Sequence, residues 1–281
     1  MSLDPAHEPL TIIVSMAAGA VAGSFGALLG IGGGVFLIPL LNVGLGLPFK
    51  TASGISLMTV IATSNAVATS SAARAVINIR LGMLLQVIGV AGGLLGALVL
   101  PLLGTTTLSA IFATVTALIA GVTLTRLDKR NVILDSSVET GTFGGRFYED
   151  ESGREVVYRV RRFPAALGVS LAGGLVSGLL GLGGGILQVP ALIAWCGVPI
   201  RAAAATSAAM IGVTALGSAP IYYARGHISL TLAAAAVLGV LFGSRVGMRL
   251  SARARARELK LLMAAVLAAV SVLYFYRSVA A

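Results

Sequence analysis

The chain has 281 residues, 57% of them hydrophobic and only 11% charged, with 36 glycines and a mean hydropathy of +0.97. A soluble domain carries about 25% charged residues. The composition therefore excludes a soluble globular enzyme, a disordered chain, a collagen and a disulfide scaffold, and leaves an all-α polytopic membrane protein. The net charge of +10 fits basic loops kept in the cytoplasm better than a nucleic-acid surface.

Residues 1–9 form a short tail with no basic region or A-x-A site ahead of the first apolar run, which predicts no cleaved signal peptide. Charge-free runs then follow in order: Pro9–Phe49, Thr51–Ala73, Leu81–Thr125, Phe163–Ile200, Ala202–Ala224, Gly226–Ser244 and Leu261–Tyr276. A spanning helix needs about 20 residues. The three longest runs hold two segments each, which gives eight to ten hydrophobic segments. The short second members, Val35–Leu47 and Ile186–Val198, have 13 residues each and read as half-helices or re-entrant pieces. The expected organisation is a tail (1–9), a membrane repeat (10–126), a cytoplasmic linker (127–162) and a second membrane repeat (163–281). In the linker, alternating Val and Tyr over 146–160 predict a β-hairpin turning at Asp150–Gly153. The single cysteine, Cys196, reads as a buried, inert thiol.

The repeat is explicit. Gly23–Pro39 aligns with Gly174–Pro190 at a shift of 151 with eight of seventeen residues identical. The same shift pairs Pro48 with Pro199, Lys50 with Arg201, Ser56 with Ser207, Thr63 with Thr214 and Arg74 with Arg225. Eight basic residues in 126–162 and six in 245–260 put both stretches on the cytoplasmic side. An even number of crossings then separates them, so the second half is inverted relative to the first, and both termini lie outside.

Each copy carries G-x-G-G-G between apolar segments, Gly30–Gly34 and Gly181–Gly185. Successive glycines break a helix and allow positive φ. A break at membrane depth bares N–H groups and the positive end of the next half-helix, which suits an anion. Gly32, Gly33, Gly34, Gly183, Gly184 and Gly185 are thus candidate substrate-binding residues. No strand precedes the motif and no acidic residue follows at the spacing of a dinucleotide fingerprint. Gly89/Gly93 and Gly239/Gly243/Gly247, at GxxxG spacing, read instead as helix-packing residues.

Hydroxyls follow each motif: Ser53, Ser56, Thr59, Thr63 and Ser64 in the first copy, Thr206, Ser207 and Thr214 in the second. Neutral donors can replace water around an oxyanion, so Ser56, Thr63, Thr206, Ser207 and Thr214 join the candidate site. Lys50, Arg74, Arg201 and Arg225 flank these segments as vestibule charges. All ten acidic residues lie in tails, loops or segment edges, which leaves no membrane carboxylate for a proton relay, and the sequence offers no metal cluster and no cofactor motif. An enzyme has little to work with here. The expected partners are a small anion and the lipid bilayer, not nucleic acid, and no signal specifies an oligomeric state.

Two copies of G-x-G-G-G-x-x-x-x-P, with Ala204-Ala205-Thr206-Ser207 after the second, resemble the TauE/SafE sulfite-exporter family over nearly the whole chain outside the linker. The first half departs from this pattern, with Ile55-Ser56 where the second has Thr206-Ser207. The resemblance implies a multi-pass permease of the cell inner membrane that moves sulfite, sulfonates such as sulfoacetate, or other small anions. The expected activity is export of a small sulfur-containing oxyanion, with uptake, including Na⁺-coupled uptake, as the alternative.

Overall fold

The computed structural model describes residues 8–70, 74–125, 141–149, 154–253 and 256–280. Tail residues 1–7, residues 126–140 and the expected turn Asp150–Gly153 lie outside the described residues. The helices are α1 (Glu8–Leu29), α2 (Gly34–Pro39), α3 (Phe49–Thr69), α4 (Ile79–Val99) and α5 (Thr105–Thr125). After strands β1 (Gly145–Glu149) and β2 (Arg154–Tyr158) come α6 (Phe163–Leu180), α7 (Gly185–Ala194), α8 (Ile200–Ala224), α9 (Leu230–Arg253) and α10 (Ala256–Ala280). Among the described residues, eight helices are long and apolar enough to cross a membrane, and only α2 and α7 are too short. The protein is an all-α multi-pass membrane protein.

Local sequence explains the element boundaries. Pro48 and Pro199 take φ of −54° and −60° with extended ψ and start α3 and α8. Pro39 closes α2, and the chain continues as a π turn over Leu40–Gly44; a proline removes one N–H from the ladder and favours such irregularity. Asn78 starts α4, its Oδ1 accepting from the Leu81 N–H at 3.1 Å.

The two halves pack as one exchange-symmetric unit. α1 lies along α9 and α6 along α4, α3 crosses α8, and α5 lies along α10. Gly19 backs onto Ala236 and Gly23 onto Val240; Gly174 backs onto Gly89 and Gly178 onto Gly93. Residue numbers rise together in each pair, so α1 runs parallel to α9 and α6 parallel to α4. Gly239, Gly243 and Gly247 meet the carbonyls of Met16, Ala20 and Ser24, where a Cβ would stand 1.9–2.1 Å away. These glycines let two helix backbones touch, as small residues do in membrane interfaces.

Among the described residues, Leu10, Val87, Leu102, Leu118, Phe242 and Val272 are exposed, whereas eighteen polar side chains are buried, among them Ser56, Thr63, Gln188 and Thr214. Apolar residues outward and polar ones inward is the arrangement a bilayer selects. β1 and β2 pair antiparallel, Gly145 opposite Tyr158 and Glu149 opposite Arg154. The ribbon docks where α4 and α8 begin. Asn78 Nδ2 donates to the Phe143 carbonyl at 2.8 Å and to Tyr158 Oη at 3.1 Å, and the Arg161 N–H donates to the Cys196 carbonyl at 2.9 Å. Burial pushes the Cys196 thiol up to about 11, so it is protonated and unreactive at neutral pH.

Candidate functional site

The two glycine motifs adopt one conformation. Gly30, Gly32 and Gly33 have φ of 72°, 86° and 74°; Gly181, Gly183 and Gly184 have 75°, 83° and 73°. Three residues in or near the left-handed region within four positions stop α1 and α6 and turn the chain into α2 and α7. All ten motif residues are buried.

The breaks meet each other. A Cβ on Gly34 would stand 3.0 Å from the Gly181 carbonyl and 2.6 Å from Ser56 Oγ; one on Gly185 would stand 2.9 Å from the Gly30 carbonyl and 3.1 Å from Ser207 Oγ. Val60 and Ile211, near the centres of α3 and α8, lie against Gly32, and Val60 also lies against Gly183. Residues some 150 positions apart in sequence thus form one contact at the middle of the crossed helices. In both copies the glycine Cα faces backbone or packed side chain. The steric demand for glycine at these positions is therefore explained before any ligand is invoked.

The hydroxyls sort into used and unused. Ser56 Oγ donates to the Gly181 carbonyl at 2.6 Å and ties α3 to the opposite break. Thr63 Oγ1 donates to the Thr59 carbonyl at 2.8 Å, one turn back in its own helix. Thr206 Oγ1 accepts from the Asn78 N–H at 2.9 Å and anchors the start of α4. Ser207 Oγ donates to Gln188 Oε1 at 3.3 Å. Thr214 Oγ1 is buried with no protein partner, as are the hydroxyls of Ser53, Ser177 and Ser218. An unmet buried hydroxyl costs about 1–3 kcal/mol, so these oxygens mark places where a ligand or water would be welcome.

Gln188 is the residue that sequence reasoning missed. It is 2% exposed on α7, with Nε2 donating to Ser170 Oγ at 3.1 Å. The signal was present: it is the one amide in the apolar run Phe163–Ile200, and the repeat puts Leu37 at its counterpart. Asn78, which joins α4, α8 and the ribbon, carries no such local signal, because its partners Thr206, Phe143 and Tyr158 lie 65 to 128 positions away in sequence.

The four vestibule cations sit at helix ends. Lys50 and Arg201 are each the second residue of α3 and α8 and are half-buried; Arg74 and Arg225 are exposed after the ends of α3 and α8. Arg74 Nε donates to the Ala68 carbonyl at 3.1 Å. Lys50 and Arg225 both face His227, in the α8–α9 loop. Partial burial, then these two cations, holds its imidazole below the usual range, so it is neutral at pH 7. Among the described residues no group of His, Cys, Asp or Glu is placed to hold a metal ion.

Eight apolar helices around two short, glycine-broken ones that meet at the centre define a polytopic membrane protein built on a duplicated unit. The profile described as "Sulfite exporter TauE/SafE" matches residues 15–274, and the chain belongs to that family. It is 24% identical over 279 residues to "Probable membrane transporter protein YunE" of Bacillus subtilis, covering 96% of this chain and 99% of that protein. It is 26% identical over 103 residues to "Probable membrane transporter protein MJ0441" of Methanocaldococcus jannaschii, covering 34% of this chain and 38% of the relative. No solved structure gives a significant match. The protein is a membrane transporter for a small molecule.

Proposed function

We propose that the protein exports a small sulfur-containing oxyanion, sulfite or an organosulfonate, from the cytoplasm across the inner membrane. The observation that carries this reading is the back-to-back contact of the two glycine breaks beside buried, unpaired hydroxyls. The positive end of α7 faces this region, and neutral donors there suit an oxyanion better than a cation. No acidic residue lies in α3, α4, α6, α7 or α8, so nothing in those helices offsets a bound cation or relays a proton. Family membership favours the same substrate class. Labelled sulfite and short sulfonates, assayed for flux in proteoliposomes of the purified protein, test it. Carrier-dependent flux of one of them is expected; none for any small oxyanion would overturn the proposal.

The same reading makes the halves an inverted repeat, with the linker and the 245–260 stretch cytoplasmic. In support, Val67, late in α3, shares a small buried cluster with Ala208, early in α8, while Ser64 Oγ donates to the Ala209 carbonyl at 2.8 Å. Numbers rise in one helix as they fall in the other, as expected of opposed helices. Reporter fusions after Asp150 and Arg257 should both read cytoplasmic, and one at Ala281 should read outside. Opposite sidedness for the first two would leave a parallel repeat.

On this view Lys50 and Arg225 concentrate anions at one mouth. Replacing both with glutamine should slow flux most at low ionic strength, because exposed charges are screened over about 8 Å at physiological salt. Equal slowing at low and high salt would instead assign them a structural role.

A further inference from the structure

The two-fold exchange of the halves creates two equivalent clefts, and their side chains are not equivalent. One lies between α4, α6, α7 and α8. It holds Ser170, Gln188, Ser207, Thr214 and Ser218, all buried. These face the glycine stripe of α4: a Cβ on Gly89 would stand 3.0 Å from Thr214 Oγ1, 3.3 Å from Ser170 Oγ and 3.7 Å from Gln188 Nε2. One turn on, a Cβ on Gly93 would stand 2.9 Å from Ser218 Oγ. Gly89 and Gly93, expected only to pack helices, do so through their carbonyls against Gly174 and Gly178, while their Cα atoms lie against this polar group.

The counterpart cleft lies between α9, α1, α2 and α3. Shifting each position by 151 puts Gly19, Leu37, Ser56, Thr63 and Val67 there, with Val240 where the first cleft has Gly89. The Ser56 and Thr63 hydroxyls are both spent on backbone carbonyls. At these matched positions the second cleft has apolar side chains and satisfied hydroxyls, whereas the first keeps two buried hydroxyls, of Thr214 and Ser218, with no protein partner.

We propose that the transported oxyanion binds in one cleft only, held by Thr214 and Ser218 with Gln188 at the glycine stripe of α4, so that each chain carries a single site. This rests on the anion reading above and locates it. The Gln188 amide has fixed partners, since Oε1 accepts from Ser207 and one Nε2 hydrogen goes to Ser170, which itself donates to the Leu85 carbonyl. These bonds orient its second Nε2 hydrogen as a donor. Three neutral donors from two helices match the acceptor shell of a sulfite or sulfonate group, and α4, α6, α7 and α8 carry no carboxylate to repel it. Because the hydroxyls of Thr214 and Ser218 lack protein partners, deleting them removes no internal bond. That separates a binding role from a structural one.

Isothermal titration of the purified protein with sulfite and with methanesulfonate, paired with thermal unfolding of each variant, tests this. The wild type should bind one anion per chain. Thr214→Val and Ser218→Ala should each weaken binding about ten- to a hundred-fold, the loss of one hydrogen bond to a charged group, while unfolding at the same temperature or higher. Gln188→Leu, which copies Leu37, should weaken binding at least as much, and Ser244→Ala, at the position matching Gly93 in the other cleft, where the hydroxyl donates to the Leu241 carbonyl, should not. Wild-type affinity in Thr214→Val, Ser218→Ala and Gln188→Leu, or two anions per chain, would overturn the one-cleft site and leave the export reading standing. No binding of either anion by the wild type would instead sink the export reading itself.

Discussion

Valine in place of Gly33 or Gly184 is expected to abolish transport in a protein that still inserts. Both residues hold φ near 73°, a conformation that β-branched side chains avoid. A Cβ on Gly33 would also stand 2.7 Å from the Ala22 carbonyl, and one on Gly184 would stand 3.2 Å from the Gly173 carbonyl. Either change forces α2 or α7 off its seat and separates the two breaks. The long apolar helices on either side remain, so insertion persists. Flux in proteoliposomes and anion affinity of the purified variants measure the effect. If yield falls while the protein that folds keeps wild-type affinity, these glycines serve packing alone and the breaks do not form the site.

The second large effect concerns folding rather than transport. Gly178→Leu and Gly243→Leu should leave almost no folded protein. Their Cβ atoms would stand 2.0 Å from the Gly93 carbonyl and 1.9 Å from the Ala20 carbonyl, and backbone cannot yield as a side-chain tip can. Each change wedges apart a pair of parallel helices along much of its length, a cost of more than about 4 kcal/mol. Gly121→Ala is the matched control. Nothing lies within 4 Å of its added methyl, and removing a mid-helix glycine stabilises by about 0.5–1 kcal/mol. Monodisperse yield after detergent extraction decides it. Near-normal yield of Gly178→Leu would mean that α4 and α6 do not touch as closely as described.

Much of this architecture can be read in the residues themselves, because membrane spans and helix breaks are local. Long charge-free runs mark the helices, and G-x-G-G-G marks both breaks, although the left-handed residues are the first three glycines of each motif and the fourth, Gly34 or Gly185, starts the next helix. A constant shift of 151 residues announces that one break should resemble the other. What the repeat hides is where its copies diverge. Ser56 and Ser207 look equivalent, yet Ser56 bonds the Gly181 carbonyl and Ser207 bonds Gln188. The difference is made by a neighbour, Gln188 against Leu37, that no periodicity singles out. Thr63 and Thr214 divide in the same way, one satisfied within its helix and the other facing Gly89. The docking of the ribbon through Asn78 likewise depends on residues 65 to 128 positions away. Local pattern locates the broken helices; the polar contacts between them arise only when distant segments meet.

Outward flux of labelled sulfite from proteoliposomes under an imposed potassium-diffusion potential tests the export claim most directly. An inside-negative potential of 100 mV is worth about 2.3 kcal/mol per charge, roughly a fifty-fold concentration ratio for a monovalent anion. Efflux is expected to accelerate as the interior is made more negative, and the final outside-to-inside ratio to approach this value for a monovalent sulfonate. Flux indifferent to the potential, or uptake against it that requires Na⁺, would contradict it.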